Sequence, residues 1–570
     1  MANLSIDSIK DRTFDAIVIG SGISGGWAAK ELTGKGLKTL VLERGRDVRH
    51  LLDYPTTNMF PWEFEHRLQM PLAITQANPV VSRCYAFNED SKHFFAKDTE
   101  HPYTQKKPFD WIRGNQVGGK SLLWARHTQR WSDFDFEGPA RDGFAVDWPI
   151  RYKDIAPWYS YVEKFAGISG NRDGLPQLPD GEFLPAFELS VMEQYFKEQL
   201  KKTYPDRHVI AARMAHLSAP QQIHFDQGRG KCQNRILCQR GCPFGGYFSS
   251  NSSTLPWAQK TGKLTLRPFS LVQSVMYDEA TRKASGVRIV DSNTGQTIEY
   301  FARIIFVNAS ALSTNHILLN SKSSSYPDGL GNVNGLMGKY VAFHNYRGKI
   351  SAEADMLHQF TTDGRKPGSG YIPRFRNLVK QDTDFLRGYA AGFAASRRPD
   401  QQTSGLGSSL KNQLLNTRLG NWEVNSHMMG ETIPKESSRV SLDAEKKDAW
   451  GMPLLEISMG YDDNDEKMLA DFFTQFTEMY KLAGFTNIKT RDTKQAPGLD
   501  IHEMGGIRMG LDPKTSLLNQ WNQMHEVKNV FITDGACMTS TSTQNPSLTY
   551  MALTARAANY AVEQLKKGAL

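Results

Sequence analysis

The chain has 570 residues and a mass of 64.1 kDa, with 39% hydrophobic, 11% aromatic and 22% charged residues. That composition excludes disordered and collagen-like classes, and at ~150 residues per domain it leaves room for three or four units or two large interwoven ones. A net charge of +8, a mean hydropathy of −0.48 and the lack of any run of ~18 apolar residues argue against a nucleic-acid partner and against a transmembrane segment.

The N-terminus has no basic region, no apolar stretch with a cleavage site and no twin arginine, so no export signal is expected in this chain. Residues 15–20 (DAIVIG) then read as a short apolar strand. Gly20-Ser-Gly22-Ile-Ser-Gly25 follows at once, 27–34 reads as a helix and 38–43 as a second strand ending in Glu43. That is a complete βαβ unit. Gly20 permits the tight turn, Gly22 lets the backbone approach a pyrophosphate, and Gly25 allows close helix–strand packing. The helix N-terminus offers free N–H groups to the anion, and Glu43 is placed to accept from ribose hydroxyls. The motif fits NAD and FAD alike, and its N-terminal place with Glu43-Arg44-Gly45 favours FAD. The plain alternative is a glycine-rich turn that only packs.

A second glycine-rich segment, Gly118-Gly119-Lys-Ser121, could approach a flat ring or a phosphate closely, or be only a turn. Asp147-Trp-Pro leads into a helix with Tyr159 and Tyr161, read as core packing.

Cys232, Cys238 and Cys242 have the spacing C-x5-C-x3-C. Zinc sites usually want four ligands with C-x2-C pairs, and a disulfide would strand the third thiol. Three thiolates fit a cluster with one corner missing, a 3Fe–4S centre, and Cys242 before Pro243 resembles ferredoxin usage. Lys231, Arg235 and Arg240 would offset the thiolate charge. Three ordinary buried thiols are the alternative, and Cys84 and Cys537 read as structural.

Strands are predicted over 264–275, 285–290 and 302–307, with Val272 a candidate for cofactor contact. Residues 345–489 read as a mainly antiparallel substrate-side domain with a helix over 463–482. Near the C-terminus stand His502-Glu-Met-Gly-Gly, a strand ending in Asp534-Gly535, and Asn545-Pro546 opening a long helix through residue 565. Asn545 before Pro546 is a natural helix start, its side chain free to cap or to bind. Taken singly, His502 reads as a core histidine and Asn545 as a cap.

Together and in this order, these segments resemble the glucose–methanol–choline oxidoreductases. The matching parts are the N-terminal βαβ, Gly118-Gly119-x-Ser121, Asp147-Trp-Pro, and the terminal set of H-x-x-G-x-x-x-M-G, D-G and N-P-S-L-T. The resemblance implies an α/β fold, α+β overall. A Rossmann-type FAD-binding domain (1–49, 105–130, 225–344 and 490–570, with the cysteine segment 228–246) would interweave with a substrate domain and connecting segments (50–104, 131–224 and 345–489). It implies His502 as catalytic base and Asn545, 43 residues on, as its partner, which would hydrogen-bond the same substrate oxygen. Cofactor contacts would come from Gly20, Gly22, Gly25, Glu43, Gly118, Gly119, Ser121, Val272, Asp534, Gly535, Asn545 and Pro546. Leu123 stands where some members carry a histidine bonded to FAD, so FAD is expected to be noncovalent.

The cysteine spacing is similar to that of bacterial FAD-dependent glucose dehydrogenases, and Cys242-Pro-Phe-Gly-Gly-Tyr most resembles the glucoside 3-dehydrogenase branch. The expected activity is oxidation of a sugar or glycoside hydroxyl, the 3-hydroxyl of a pyranoside, with electrons leaving through the cluster. An oxygen-using sugar oxidase of the same family is the alternative reading, and a noncatalytic FAD-binding subunit a more distant one. Expected partners are a small accessory subunit or a cytochrome docking on the basic residues at 232–242. The expected location is periplasmic if co-exported with such a subunit, otherwise cytoplasmic.

Overall fold

A computed structural model describes residues 10–360, 366–399, 405–416 and 419–570. The first nine residues of the N-terminal reading, and small parts of the 345–489 reading, lie outside the described residues.

Strand β1 (Thr13–Ile19) is almost wholly buried. It is apolar without alternation because both its faces are covered, as in parallel sheets. The glycine turn leads into α1 (Ile23–Gly34), and β2 (Thr39–Leu42) returns parallel to β1, with Val18 opposite Val41. Four later strands join them: β3 (Leu264–Arg267), β4 (Ser270–Asp278), β5 (Lys283–Asp291) and β6 (Thr297–Val307). The order is β3-β2-β1-β6-β5-β4, and Val530–Ile532 also pairs with β6. The part around β1 is parallel, whereas β4, β5 and β6 form an antiparallel meander.

The one strand expected over 264–275 is two. Pro268 has no N–H to give to a ladder, and Phe269 takes a left-handed φ of 55°. The chain turns there, so β3 runs parallel to β2 while β4 starts a new antiparallel pair.

Helix α2 (Tyr152–Ala166) falls in the stretch expected on the substrate side, yet Ile155, Tyr159 and Val162 pack in the core of the first sheet. Tyr159 is buried there, with its hydroxyl 2.8 Å from Thr549 Oγ1.

A second seven-stranded sheet is antiparallel throughout. It contains β7 (Gly348–Ala354), β8 (Gly370–Ile372), β9 (Tyr389–Pro399), β10 (Leu419–Glu431) and β11 (Thr486–Asp492), in the order β11-β7-β10-β9-β8. The short strand His344–Asn345 pairs with the end of β10. One face is covered by α3 (Asp463–Leu482). Asp462 caps its N-terminus by accepting from the Asp465 N–H, and acids fill its first turn. Met468, Phe472, Phe476 and Met479 recur at helical spacing and pack on Val424, Phe393 and Met428. Burying each large side chain contributes about 1.5–3 kcal/mol, so this face holds the second domain together. Alternate residues of β10, His427 and Met429, point the other way, into the cavity between the sheets.

The last helix, α4 (Ser547–Lys566), packs against α1 and α2. It carries residues 545 and 546 at its N-terminal end back to the first sheet. Among the described residues no helix is long and apolar enough to cross a membrane.

Candidate active site

The turn between β1 and α1 has the geometry its glycines were expected to need. Gly20 has a φ of 94°, and a Cβ on Gly25 would stand 1.9 Å from the Gly20 carbonyl oxygen. A Cβ on Gly22 would meet nothing among the described residues within 4 Å. That open space faces a cavity of about 470 Å³ at the N-terminus of α1. Glu43, at the end of β2, is buried and lines it. Its carboxylate accepts from Ser21 Oγ at 2.6 Å and from the Gly45 N–H at 2.9 Å, and burial pushes its pKa up. Ser21 Oγ in turn accepts from the Gly118 N–H at 2.9 Å. The two glycine-rich segments are therefore joined through one serine.

Gly20, Gly22, Glu43, Gly119, Ser121, Val272, Asp534, Gly535, Asn545 and Pro546 all line this cavity. Gly25 and Gly118 stand behind its wall and shape it. Asp534 accepts from Thr314 Oγ1 and from the Ala536 N–H, and burial raises it to about 6.

His502 stands on the same cavity wall, in the loop after the second sheet. Its Nε2 lies 3.4 Å from Asn545 Nδ2, and its Nδ1 lies 2.9 Å from Nδ1 of His344. Burial holds His502 well below the usual histidine range, helped by His344, Lys120 and His127. Asn545 does not cap α4. The capping position is Pro546, with no side-chain cap, and the asparagine amide turns to His502 instead.

The three cysteines of the 232–242 segment are free and lie outside the cavity lining. The Gly246 N–H points at Cys242 Sγ at 3.3 Å, and His216 Nε2 lies 3.7 Å from Cys238 Sγ. Burial pushes Cys232 up to about 11, and the neighbouring Cys238 and Cys242 add to it. Asn234, Ile236, Gly241 and Gly245 all have left-handed φ values. A β-branched residue such as Ile236 holds that conformation only where its surroundings demand it.

Of the basic residues expected around these thiols, Lys231 is exposed, Arg235 is half-buried and Arg240 is buried. Arg240 is buried, bonded to Asp90 at 2.6 Å and to the Met59 carbonyl, and Arg235 is turned onto the Thr57 carbonyl. The cations that do face the thiols are Arg126 and Arg235 towards Cys238 and Arg229 towards Cys242. The segment that Arg235 and Arg240 hold exposes Phe60 and Trp62, stacked with ring centroids 4.7 Å apart.

The family model described as GMC oxidoreductase matches residues 14–333, and its C-terminal counterpart matches 434–554. The chain belongs to the GMC oxidoreductases. Among known members, it is 27% identical to 2-methyl-1,2-propanediol dehydrogenase of Mycolicibacterium austroafricanum, over 96% of this chain and 94% of that one. It is 24% identical to the fructose dehydrogenase large subunit of Gluconobacter japonicus, over 97% and 98%. The crystal structure of pyridoxine 4-oxidase from Mesorbium loti superposes with a TM-score of 0.59 at 14% identity, over 96% of this chain and 99% of that one, which shows the shared fold.

This GMC oxidoreductase is thus an enzyme of CH–OH oxidation, and its family binds FAD. The residues present fit that cofactor: the open space over Gly22, the helix N-terminus, the carboxylate at the end of β2, and Asn308 Nδ2, which borders the cavity with no partner among the described residues. Sequence reasoning missed the part of the cavity wall that is made by His127, Tyr346, Tyr371 and His427. Tyr371 is buried, and its hydroxyl has no partner among the described residues. These four come from separate loops and strands, so no local pattern marks them.

Proposed function

We propose that this chain is an FAD-dependent dehydrogenase that oxidises a sugar or glycoside hydroxyl to a ketone, the 3-hydroxyl of a pyranoside. The observation that carries the proposal is the convergence of His502 Nε2 and the Asn545 amide, 3.4 Å apart, on the wall of a cavity that begins at the dinucleotide turn. Bound FAD would supply a two-electron acceptor for the hydride from the carbinol carbon. His502 Nε2 takes the hydroxyl proton, and Asn545 Nδ2 donates to the same oxygen and holds it in line. Tyr371, His127 and His427 offer polar atoms to the remaining hydroxyls. The fructose dehydrogenase relative supports a sugar substrate. Leu123 borders the cavity and has no atom that could bond to a flavin, so FAD is held without a covalent link through it.

Cys232, Cys238 and Cys242 are proposed to hold a 3Fe–4S cluster as the electron exit. Support comes from the strained loop, the backbone N–H aimed at Cys242 Sγ, and the cations Arg126 and Arg229 beside the thiols. An acceptor or accessory subunit would dock beside them, over the aromatic surface at Phe60 and Trp62.

The test is anaerobic mixing of the FAD-loaded protein with a panel of glycosides, followed at the flavin band, with product regiochemistry by NMR. Bleaching by a pyranoside and a 3-keto product are expected. A protein that bleaches with no sugar refutes the substrate class. Iron and sulfide analysis tests the exit. An iron-free preparation that turns over fully with dioxygen makes the chain a sugar oxidase instead. Acid precipitation should leave the yellow colour in the supernatant.

A further inference from the structure

His344 is fully buried at the end of the second sheet and belongs to none of the motifs above. Its Nε2 lies 3.0 Å from the Ser542 carbonyl oxygen and 3.3 Å from that of Thr541. Both of these groups can only accept, so Nε2 carries a hydrogen. Burial holds His344 at about 4, so at neutral pH it has one N–H and its Nδ1 is a bare lone pair. That lone pair faces His502 Nδ1 at 2.9 Å, with the two rings nearly perpendicular at 88°. The hydrogen between the two rings must then belong to His502.

We propose that His344 is a positioning residue that locks His502 in the Nδ1–H tautomer, so that the nitrogen left bare is Nε2, on the cavity side beside Asn545. The tautomer of a histidine is set by the bond its other nitrogen makes, and here two backbone carbonyls set it from one ring further away. The proposal rests on reading His502 as the base, and it adds how the base is kept ready. When Nε2 takes a proton, the Nδ1–H stays on the His344 lone pair, so the ring charges without turning. A neutral acceptor stands here where a carboxylate often serves. A carboxylate would raise the affinity of His502 for protons, whereas a neutral imidazole leaves it low. The other groups facing the pair are Asp500, which accepts from the backbone N–H of His344 at 2.8 Å and is raised to about 7 by burial, together with Glu503, Lys120 and His127.

Nitrogen-15 NMR of histidine-labelled, FAD-loaded protein reads the tautomer directly, with His502 assigned by its loss in His502→Ala. A protonated Nδ1 and a bare Nε2 are expected, shifting towards Nε2–H in His344→Leu. Anaerobic flavin bleaching should slow at least ~10-fold in His344→Leu, with KM little changed, because orientation and tautomer are lost and binding is not. His344→Asn places an acceptor oxygen near the position of Nδ1 and should recover most of the rate. An Nε2–H tautomer in the wild type overturns the proposal. So does wild-type bleaching in His344→Leu, or an Asn variant no faster than the Leu variant. Normal bleaching in His502→Ala instead refutes the base assignment, and the nitrogen shifts still decide what His344 does.

Discussion

Asn545 Nδ2 lies 3.4 Å from His502 Nε2, although the two residues come from different loops of the first domain and stand 43 positions apart. The amide is a donor here, and a neutral one. It orders the lone pair of the base without competing for its proton. In the proposed reaction the two side chains divide one task, His502 taking the hydroxyl proton and Asn545 fixing the hydroxyl oxygen.

His502→Ala should keep FAD and lose most turnover, since removing a positioned base costs ~10²–10⁴-fold in rate. Asn545→Ala should lose less, through orientation alone, and its loss should not vary with pH. Stopped-flow bleaching by the best glycoside of the panel checks both. A His502→Ala protein that bleaches at the normal rate would remove this histidine from the chemistry.

The dinucleotide turn gives a paired prediction. A methyl at Gly25 meets a backbone oxygen at 1.9 Å, which cannot move without parting α1 from β1. Gly25→Ala should lower Tm and give protein without FAD, since overpacking of this kind costs about 1–3 kcal/mol or more. A methyl at Gly22 meets nothing among the described residues. Gly22→Ala should fold as well as wild type and still bind FAD more weakly. Thermal unfolding and the ratio of flavin to protein absorbance separate the two, and equal behaviour of the variants would refute the reading.

Why these glycines were legible in the sequence, and other features were not, follows from distance along the chain. The βαβ unit lies within about thirty residues, and each glycine answers a local steric demand, so spacing alone exposes it. His502 and Asn545 were found as a pair through their flanking motifs. The break at Pro268 and Phe269 was also written locally, but the apolar run across it hid the turn. His344 could not be found this way. Its role depends on two carbonyls almost 200 positions away and on a ring 158 positions away. Arg240 misled for the same reason. A charge in a sequence is read as solvated, and its burial against Asp90, 150 residues distant, is a tertiary fact.

Arg387 ties the second sheet to the segment at residues 134–142. It is fully buried, donates from Nε to Glu431 Oε2 on β10 at 2.9 Å, and reaches Asp142 Oδ2 and the Phe134 carbonyl from its two Nη atoms. Arg387→Ala would leave Glu431 buried with its principal counter-charge gone, which costs about 3–5 kcal/mol. A fall in the urea midpoint should accompany it. An unchanged midpoint would show that Arg374, 3.6 Å from the same carboxylate, suffices.

Acid should destabilise the protein through its buried histidines, against Asp500 and Asp534, which burial raises to about 7 and about 6 and which take up protons in the folded state first. His127 and His344 are held at about 4 by burial and His427 at about 3, against 6.5 for an ordinary histidine. Between those values the unfolded chain binds protons that the folded one refuses. Stability is therefore fully present above pH ~6.5 and falls as the pH drops towards 4, by up to about 1.4 kcal/mol per pH unit for each such histidine. Activity has a different limb. His502 must be neutral to accept a proton, and its pKa is depressed well below the usual value, so the rate should be flat through pH 7 and fall only on the acid side of 6.5. Urea titrations and bleaching rates from pH 8 down to pH 5 measure both on the same samples. A stability that rises on acidification would refute the prediction that these rings outweigh Asp500 and Asp534. A rate that falls already at pH 7 would mean that His502 is charged where the cavity, Lys120 and His344 should keep it neutral.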